Sequence, residues 1–305
     1  MDQVLIEMHQ AHIVVPSRLR IYGALFAGMF CIALSAIFTR YAGVPGTVSA
    51  FYRVAIAVAI LTMPFLRSVR GQRRVPSRRA GWLALGAGVF FSLDLGLWNT
   101  SLFLTPVATS TLLCNDAPIV VGLVSLVFFR ERLGRQYWLG LAVAIAGMVI
   151  IAGRDMLAHS TLGTGDILAI LAGVAYAGYL LTIGRIRSHV DTLASLFIPG
   201  LSATVVLAGY DIATHQTLWG FAGHQWLALL ALGLISQVGG WYSINYALGH
   251  MPTSIVSVTL LGQPVMTALL AVPLLSAPLT SGQIVGGIVT LGGVYLVNQG
   301  IARKH

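Results

Sequence analysis

Residues 105–147 read TPVATSTLLCNDAPIVVGLVSLVFFRERLGRQYWLGLAVAIAG, and a related apolar stretch recurs later in the chain. A shift of 146 positions lays it, without a gap, on residues 251–293, MPTSIVSVTLLGQPVMTALLAVPLLSAPLTSGQIVGGIVTLGG. The match indicates an internal duplication. The residues that coincide, in and just before this stretch, are Asn99 with Asn245, Pro106 with Pro252, Pro118 with Pro264, Gly140 with Gly286 and Gly147 with Gly293.

The duplication extends towards the start of the chain. An offset of 145 aligns the earlier region, where Gly28 meets Gly173 and Arg40 meets Arg185. If each copy holds an odd number of membrane spans, the second copy must lie upside down in the bilayer. Inverted repeats of this kind are an architecture of secondary transporters.

Composition places the chain in a membrane. Its 305 residues are 57% hydrophobic and only 9% charged, whereas soluble domains carry about 25% charged residues. So few charges cannot cover a globular surface in water. The 34 glycines suit the close packing of transmembrane helices. An integral membrane protein is therefore predicted.

The apolar runs predict an all-α protein with ten transmembrane helices, since a helix needs about 20 apolar residues to cross the hydrocarbon layer. We expect two inverted five-helix repeats, residues 19–155 and 160–300, after a cytoplasmic tail of residues 1–18. The tail lacks the short basic region of a cleaved signal peptide. The predicted spans are 21–39, 47–66, 80–102, 105–129, 136–153, 164–184, 192–211, 224–247, 252–275 and 280–300.

Basic residues set the expected topology. The formal charge is +9, and the basic residues are nearly all arginines that lie between apolar runs. With both termini in the cytoplasm, the segments 67–79, 130–135 and 185–187 face inward, and only Arg40 and Arg154 face outward. This is the positive-inside asymmetry. It indicates solvated loops rather than a nucleic-acid-binding patch, and a multi-pass protein of the bacterial inner membrane.

The stretch 105–147 resembles the repeat of the drug/metabolite transporter superfamily, and specifically of the bacterial EamA-type exporters. The shared features are a proline that opens the fourth span, a second proline at its middle, an Arg-Glu-Arg-Leu exit at residues 130–133 and a glycine-rich fifth span. The second half repeats them over 251–293, so the resemblance covers essentially the whole chain. It implies export of amino acids, other metabolites or cationic drugs. The aromatic-rich eighth span is most similar to the aromatic-amino-acid-type exporter branch.

Two departures from the family pattern bear on substrate choice. Arg130 stands where the family usually has glycine, and the counterpart in the second half, residues 276–278, carries no charge. Asn115 and Asp116 stand just before Pro118, where the family is usually apolar. The pair either marks substrate choice or is a local feature of the kink.

Three ionisable side chains are predicted at bilayer depth, where such a group costs about 2.5–3.5 kcal/mol on insertion scales. Asp116, near the middle of the fourth span, binds a substrate amine or carries a coupling proton; the alternative is a structural carboxylate beside the kink. Asp94, with Trp98 one turn later, has the same two roles or pairs with Arg53. Arg53 in turn holds a substrate carboxylate or extends to the membrane interface.

Polar side chains recur at helical spacing on four spans. If the repeats pack about a pseudo-two-fold axis, these side chains converge on a central cavity, whose aromatic walls suit an amino-acid side chain or a flat cation. Ordinary interhelical hydrogen bonding is the alternative. The series are Cys31, Ser35 and Thr39; Tyr176 and Tyr179; Gln237, Trp241 and Asn245; and Thr259, Gln263 and Thr267. Eight residues are predicted to bind substrate: Asp94, Trp98 and Asp116, and from these series Ser35, Tyr179, Gln237, Trp241 and Gln263.

Several catalytic and metal motifs do not occur in the sequence. It has no Gly-x-x-x-x-Gly-Lys-Ser/Thr loop for ATP and no His-Glu-x-x-His pair. Cys31 and Cys114 lie inside apolar runs and not at a metal-ligand spacing. We therefore predict a monomeric transporter rather than an enzyme, with no cofactor or metal. Its expected partners are a small-molecule substrate and membrane lipid, with no nucleic acid.

Two functions fit these features. The first is secondary export of small metabolites, chiefly amino acids of broad specificity, from the cytoplasm by alternating access. The alternative is a proton-coupled exporter of aromatic or quaternary cationic drugs, which needs Asp94 or Asp116 and a proton gradient. A lipid-modifying enzyme is disfavoured because no catalytic residues converge at interface depth, and a channel because no selectivity-filter motif occurs.

Overall fold

The computed structural model describes residues 17–70, 77–101, 104–105, 107–157, 163–276 and 279–302, and every regular element among them is a helix. Ten helical segments are long and apolar enough to cross a membrane, which confirms the predicted ten-span, all-α architecture. Pro106, most of the predicted tail and the middle of the basic segment 67–79 lie outside the described residues.

Seven of the spans are continuous helices within the described residues. Their limits lie within a few residues of those predicted from the apolar runs. In chain order the first three are Arg18–Ala42, Gly46–Arg70 and Arg78–Ser101; the fifth to seventh are Arg135–Leu157, Thr164–Ile186 and Thr192–Ala213; and the tenth is Ser281–Ala302.

The fourth and ninth spans are broken at matching positions. The fourth consists of the helices Val107–Cys114 and Ala117–Val127. Pro118 has no N–H, so it cannot bond the Cys114 carbonyl one turn back, and the helix is interrupted there. The ninth consists of Thr253–Thr259, a 3₁₀ turn at Leu260–Gly262 and Gln263–Leu275, with Pro264 at the equivalent place. Both halves therefore carry a helix break at the matched proline.

The eighth span contains a feature that the sequence pattern did not predict. Between the α-helices Gly223–Ala231 and Tyr242–Leu248, residues Leu232–Trp241 form a π-helix. Such i→i+5 segments are rare and occur often at functional sites. Here the wider turn lies where Gly240 packs on the first span: a Cβ at Gly28 would lie 2.8 Å from the Gly240 carbonyl oxygen.

The two halves interlock rather than forming separate bodies. The first span packs against the eighth and ninth, and the sixth packs against the third and fourth. The second packs against the seventh, and the fifth against the tenth. Exchanging the two halves leaves this list unchanged, so the contacts have the pseudo-two-fold symmetry of a duplicated protein. With five spans per repeat, the second copy is inverted relative to the first.

Glycines bring the fifth and tenth spans into backbone contact. A Cβ at Gly140 would lie 2.7 Å from the Gly293 carbonyl oxygen, and a Cβ at Gly286 would lie 2.5 Å from that of Gly147. The pairing of the earlier glycine with the later one shows that the two helices are antiparallel. These four residues are the ones that the offset of 146 aligns, and close approach is the reason both copies need glycine there.

Loops and span ends group at two ends of the helix bundle. At one end the Arg185 guanidinium lies 4.7 Å from the centre of the Phe129 ring, and Ser254 Oγ donates to Glu131 Oε2 at 3.1 Å. This end is called the arginine-rich end. It carries Arg67, Arg130, Arg132, Arg185 and Arg187. At the opposite end, Thr105 Oγ1 donates to Asp166 Oδ1 at 2.6 Å.

Replacing Gly286 with leucine is expected to destabilise the protein, because a Cβ there would lie 2.7 Å from the Ile151 side chain as well as against the Gly147 carbonyl. Overpacking of this kind costs about 1–3 kcal/mol. The apparent Tm of the detergent-purified protein should fall by several degrees. It can be measured by size-exclusion chromatography of heated samples.

The matched control for this prediction is Gly292→Leu on the same helix, since no atom lies within 4 Å of a Cβ at Gly292. An equal loss of apparent Tm in both variants would contradict the assignment of Gly286 to the helix crossing.

Candidate functional site

A buried hydrogen bond between Arg53 and Gln237 joins the second and eighth spans in the middle of the bundle. Arg53 Nε donates to Gln237 Oε1 at 2.8 Å. Arg53 is 8% exposed and Gln237 is 2% exposed, so the hydrogen bond lies in the protein interior. A buried guanidinium is costly unless its donors are bonded and its charge is balanced. Gln237 meets the first requirement for one N–H group.

The balancing charge comes from the third span. Asp94 is 8% exposed and attracts Arg53 electrostatically. Cys114 of the fourth span donates from Sγ to Asp94 Oδ1 at 3.9 Å. The charged core therefore consists of Arg53, Asp94, Cys114 and Gln237, and it draws on the second, third, fourth and eighth spans.

Four aromatic rings pack around the Trp241 side of this core. The Trp241 ring meets Phe91 at 5.1 Å, Tyr179 at 5.0 Å and Tyr176 at 6.0 Å between centroids, each edge to face. Phe91 and Tyr179 are 4.8 Å apart. Edge-to-face contacts fix the orientation of each ring. These four residues are called the aromatic cluster. The cluster and the charged core share two helices, because Trp241 lies four residues after Gln237 and Phe91 lies three residues before Asp94.

Asn245 holds the aromatic cluster to its surroundings. Its Oδ1 atom accepts from Tyr179 Oη at 3.3 Å, and its Nδ2 atom donates to the Ser195 carbonyl at 3.1 Å. Its own carbonyl accepts from Arg187 Nε at 2.8 Å. Asn245 is fully buried, and its bonds are interhelical hydrogen bonds of the kind named above as the alternative to a cavity. The sixth, seventh and eighth spans are connected through this one residue.

Asp116 lies next to the charged core, at the break of the fourth span. Its Oδ1 atom is buried and has no hydrogen-bond partner among the described residues. The carboxylate lies against Gly173 of the sixth span, at the place where a Cβ would stand. Cys114 interacts electrostatically with both Asp94 and Asp116. A buried polar atom without a partner costs about 1–3 kcal/mol, so Asp116 has a feature expected of a functional carboxylate.

The second half carries glycine at both carboxylate positions. Gly240 corresponds to Asp94 and Gly262 to Asp116 at the offset of 146. Gly240 packs on the first span, and a Cβ at Gly262 would lie 3.3 Å from the Met29 side chain. In the second half, glycines let the helices pack closely at these two positions, whereas the first half has acidic side chains there. The site is therefore asymmetric.

Several predicted site residues come together in the structure. Asp94 and Gln237 belong to the charged core, Tyr179 and Trp241 belong to the aromatic cluster, and Asp116, two residues after Cys114 of the charged core, lies against Gly173. Their roles in substrate binding remain predictions.

Three other predicted residues lie apart from these contacts. Ser35, Trp98 and Gln263 are half-buried. Within the described part of the chain, no side-chain hydrogen bond or ring contact links any of them to the charged core or the aromatic cluster, and they too remain predictions. Phe91 was not predicted. Its spacing of three residues before Asp94, which places both on one helix face, was the signal available.

A cavity of about 550 Å³ opens at the arginine-rich end, between the second, seventh and eighth spans. Cavities of this size suit small molecules. Its charged wall is fixed in place, because Asp191 Oδ1 accepts from the Ala194 N–H at 2.7 Å and caps the seventh span. The lining includes Pro64, Arg67, Ser68, Asp191, Tyr242 and Tyr246.

The opposite end is tied by hydrogen bonds between the two halves. Tyr41 Oη donates to the Leu274 carbonyl at 2.6 Å, and Gln225 Nε2 donates to the Ala42 carbonyl at 2.9 Å. Tyr52 and Trp226 pack edge to face at 4.9 Å nearby. These contacts join the first and second spans of the first half to the eighth and ninth spans of the second half.

Comparison with known proteins is consistent with this architecture. A sequence model of the EamA-like transporter family matches residues 19–153 and 163–299. A solved crystal structure superposes with a TM-score of 0.77 at 20% identity, over 93% of this chain and 98% of that chain. At that identity the superposition shows the fold alone.

Two curated proteins show what relatives of this chain transport. The pseudopaline exporter CntI of Pseudomonas aeruginosa is 27% identical over 222 residues, which cover 72% of this chain and 74% of that protein. A probable terminal-alkyne amino-acid exporter of Streptantibioticus cattleyicolor is 26% identical over 248 residues, 80% of each protein.

Replacing Gln237 with leucine is expected to lower the apparent Tm, since it leaves a buried N–H of Arg53 without its acceptor. A hydrogen bond to a charged group contributes about 1.5–3 kcal/mol. Gln237→Glu keeps an acceptor oxygen and should retain most of the stability. Both variants can be measured by thermal unfolding in detergent.

The surface control is Gln299→Leu, because the hydrogen bond from Gln299 to Tyr295 lies at the exposed surface. If Gln237→Leu proves as stable as this control, the Arg53–Gln237 bond does not hold the second and eighth spans together.

Proposed function

The chain belongs to the EamA-like transporter family, and on that premise we propose that it exports amino-acid-like metabolites from the cytoplasm by alternating access. Its relatives include small-molecule exporters, and its ten apolar helices fit a multi-pass protein of the inner membrane. The amino-acid substrate, the broad specificity and the mechanism are the parts we propose.

One observation carries the substrate class: a cation and an anion are buried together beside an aromatic cluster. Arg53 and Asp94 present opposite charges in the interior, so a solute with both charges is matched at each end. The rings of Phe91, Tyr176 and Trp241 offer an apolar surface for its side chain. The relative from Streptantibioticus, described as an amino-acid exporter, supports the same class.

The mechanism we propose uses the difference between the two ends of the bundle. The cavity at the arginine-rich end gives access from one side, while the bonds of Tyr41 and Gln225 close the other. The breaks in the fourth and ninth spans provide bending points on opposite halves. Interfaces between inverted repeats are where such transporters bind substrate and coupling ions.

The topology is part of the proposal. Positive charge accumulates on cytoplasmic loops, so we place the arginine-rich end and both termini in the cytoplasm. The repeats then extend over residues 19–155 and 160–300, after a cytoplasmic tail of residues 1–18. In this orientation the cavity faces the cytoplasm, the side from which an exporter takes its substrate.

Export of aromatic or quaternary cations is the second candidate, favoured by the aromatic rings close to Asp94. Aromatic faces bind cations and a carboxylate balances their charge. Arg53 weighs against it, because a cation that approaches Asp94 also approaches the buried guanidinium. A zwitterion meets an opposite charge at both positions and avoids this repulsion.

Asp94→Asn is expected to reduce amino-acid transport about tenfold or more, since the amide keeps the size of the carboxylate but loses its charge. Purified protein in liposomes, tested by counterflow with a panel of radiolabelled amino acids, gives the measurement. Runs with and without a pH gradient separate proton-coupled from passive export.

The matched control is Asp211→Asn, a fully buried aspartate near the end of the seventh span. If the wild-type protein transports no amino acid but carries cationic dyes, the second candidate replaces the amino-acid assignment.

Single cysteines test the topology. The background carries Cys31→Ser and Cys114→Ser. Ser188→Cys places a cysteine in the loop between the sixth and seventh spans, and Thr217→Cys places one at the opposite end; both positions are exposed. A membrane-impermeant maleimide should label only Thr217→Cys in intact cells and only Ser188→Cys in inside-out vesicles. The reverse pattern would invert the proposed orientation.

A further inference from the structure

The indole of Trp241 has a buried hydrogen-bond donor with no partner among the described residues. Trp241 is 4% exposed, and its Nε1 atom is buried without an acceptor. A Trp N–H is a donor only, and buried polar groups in native proteins are nearly always bonded. The edge-to-face contacts with Phe91, Tyr176 and Tyr179 hold the ring in place. The protein therefore fixes an N–H group that a bound molecule with an acceptor oxygen would satisfy.

A second set of donors, the Arg53 guanidinium, is bonded to the helical segment that carries Trp241. Gln237 and Trp241 are four residues apart in the π-helical segment, both buried. Gln237 Oε1 accepts one N–H of Arg53, whereas a guanidinium carries five N–H donors in a planar fork. Such a fork matches the two oxygens of a carboxylate. An indole N–H without a partner and a guanidinium, both held by one helical segment, are the donor types that an anionic oxygen requires.

We propose that Trp241 Nε1 and the Arg53 guanidinium bind the carboxylate of the substrate, and that Asp94 faces its ammonium group. The inference rests on the proposed function and adds the direction in which the substrate lies. The side chain of the substrate then contacts the rings of Phe91, Tyr176 and Tyr179. The two halves contribute different ends of this site, since Arg53 and Asp94 come from the first repeat and Trp241 from the second.

This arrangement makes Trp241 a residue that determines specificity. A site built to bond a polar substrate group rejects an analogue that lacks the group, because its own buried donors are left unpaired. A simple amine leaves both Trp241 Nε1 and the Arg53 fork without an acceptor. The site therefore selects carboxylate-bearing solutes over the corresponding amines.

The test uses three probes of similar shape: L-phenylalanine, phenethylamine and 3-phenylpropionate. Binding to detergent-purified protein is measured by isothermal titration. Trp241→Phe keeps an aromatic ring but removes the N–H donor. It should weaken binding of L-phenylalanine and 3-phenylpropionate about tenfold, in line with one lost hydrogen bond to a charged group, and leave phenethylamine binding unchanged.

Two controls separate the N–H group from packing. Benzothienylalanine at position 241 keeps the bicyclic shape with sulfur in place of N–H, and it should reproduce the selective loss. Trp226→Phe alters a tryptophan that packs on Tyr52 outside the aromatic cluster, and it should change none of the three affinities.

The outcomes distinguish the inference from the proposed function. If both position-241 variants bind L-phenylalanine as well as the wild type, or weaken all three probes equally, the carboxylate assignment is wrong although amino-acid binding stands. If the wild-type protein binds none of the probes, the amino-acid assignment fails and the inference fails with it.

Discussion

A guanidinium cannot remain in a membrane-protein interior unless its charge and its donors are compensated, and Arg53 imposes that requirement on the middle of this structure. Gln237 bonds one of its N–H groups, and Asp94 balances its charge. Because these partners come from other spans, burying one arginine holds the second, third and eighth spans together. Uncompensated, such a group is among the most costly that a protein interior can contain. The candidate site is thus also a structural centre of the bundle.

The duplicated scaffold and the unduplicated site serve different purposes. Glycines and prolines recur at the offset of 146 because both copies need the same helix crossings and the same breaks. The carboxylates do not recur: Gly240 and Gly262 stand opposite Asp94 and Asp116. Where these two glycines of the second half pack against the first span, the first half holds acidic side chains. A symmetric frame can therefore enclose a site that is charged on one side only.

Much of this was predictable from the sequence, for identifiable reasons. The ten spans follow from runs of apolar residues, and the depth of Arg53 and Asp94 follows from their positions within those runs. Spacing of four residues placed Gln237 and Trp241 on one face. The same reasoning predicted Ser35, Trp98 and Gln263 as site residues. Among the described residues, no side-chain hydrogen bond or ring contact joins them to the charged core or the aromatic cluster. Helical spacing gives the face that a residue shares, but not the neighbour that the face meets.

The sequence by itself determined the membrane class, the number of spans, the duplication and the distribution of arginines between them, because hydrophobicity, charge and repeat spacing are properties of the linear chain. Only the tertiary structure decided that the first span of each half packs on the third of the other, that residues 232–241 form a π-helix, and that Phe91 joins the aromatic cluster. These depend on side chains that are far apart in the chain meeting in one place, as Arg53 and Gln237 do at a separation of 184 positions. Van der Waals fit and hydrogen-bond geometry between helices select such partners, and neither is encoded in any single apolar run.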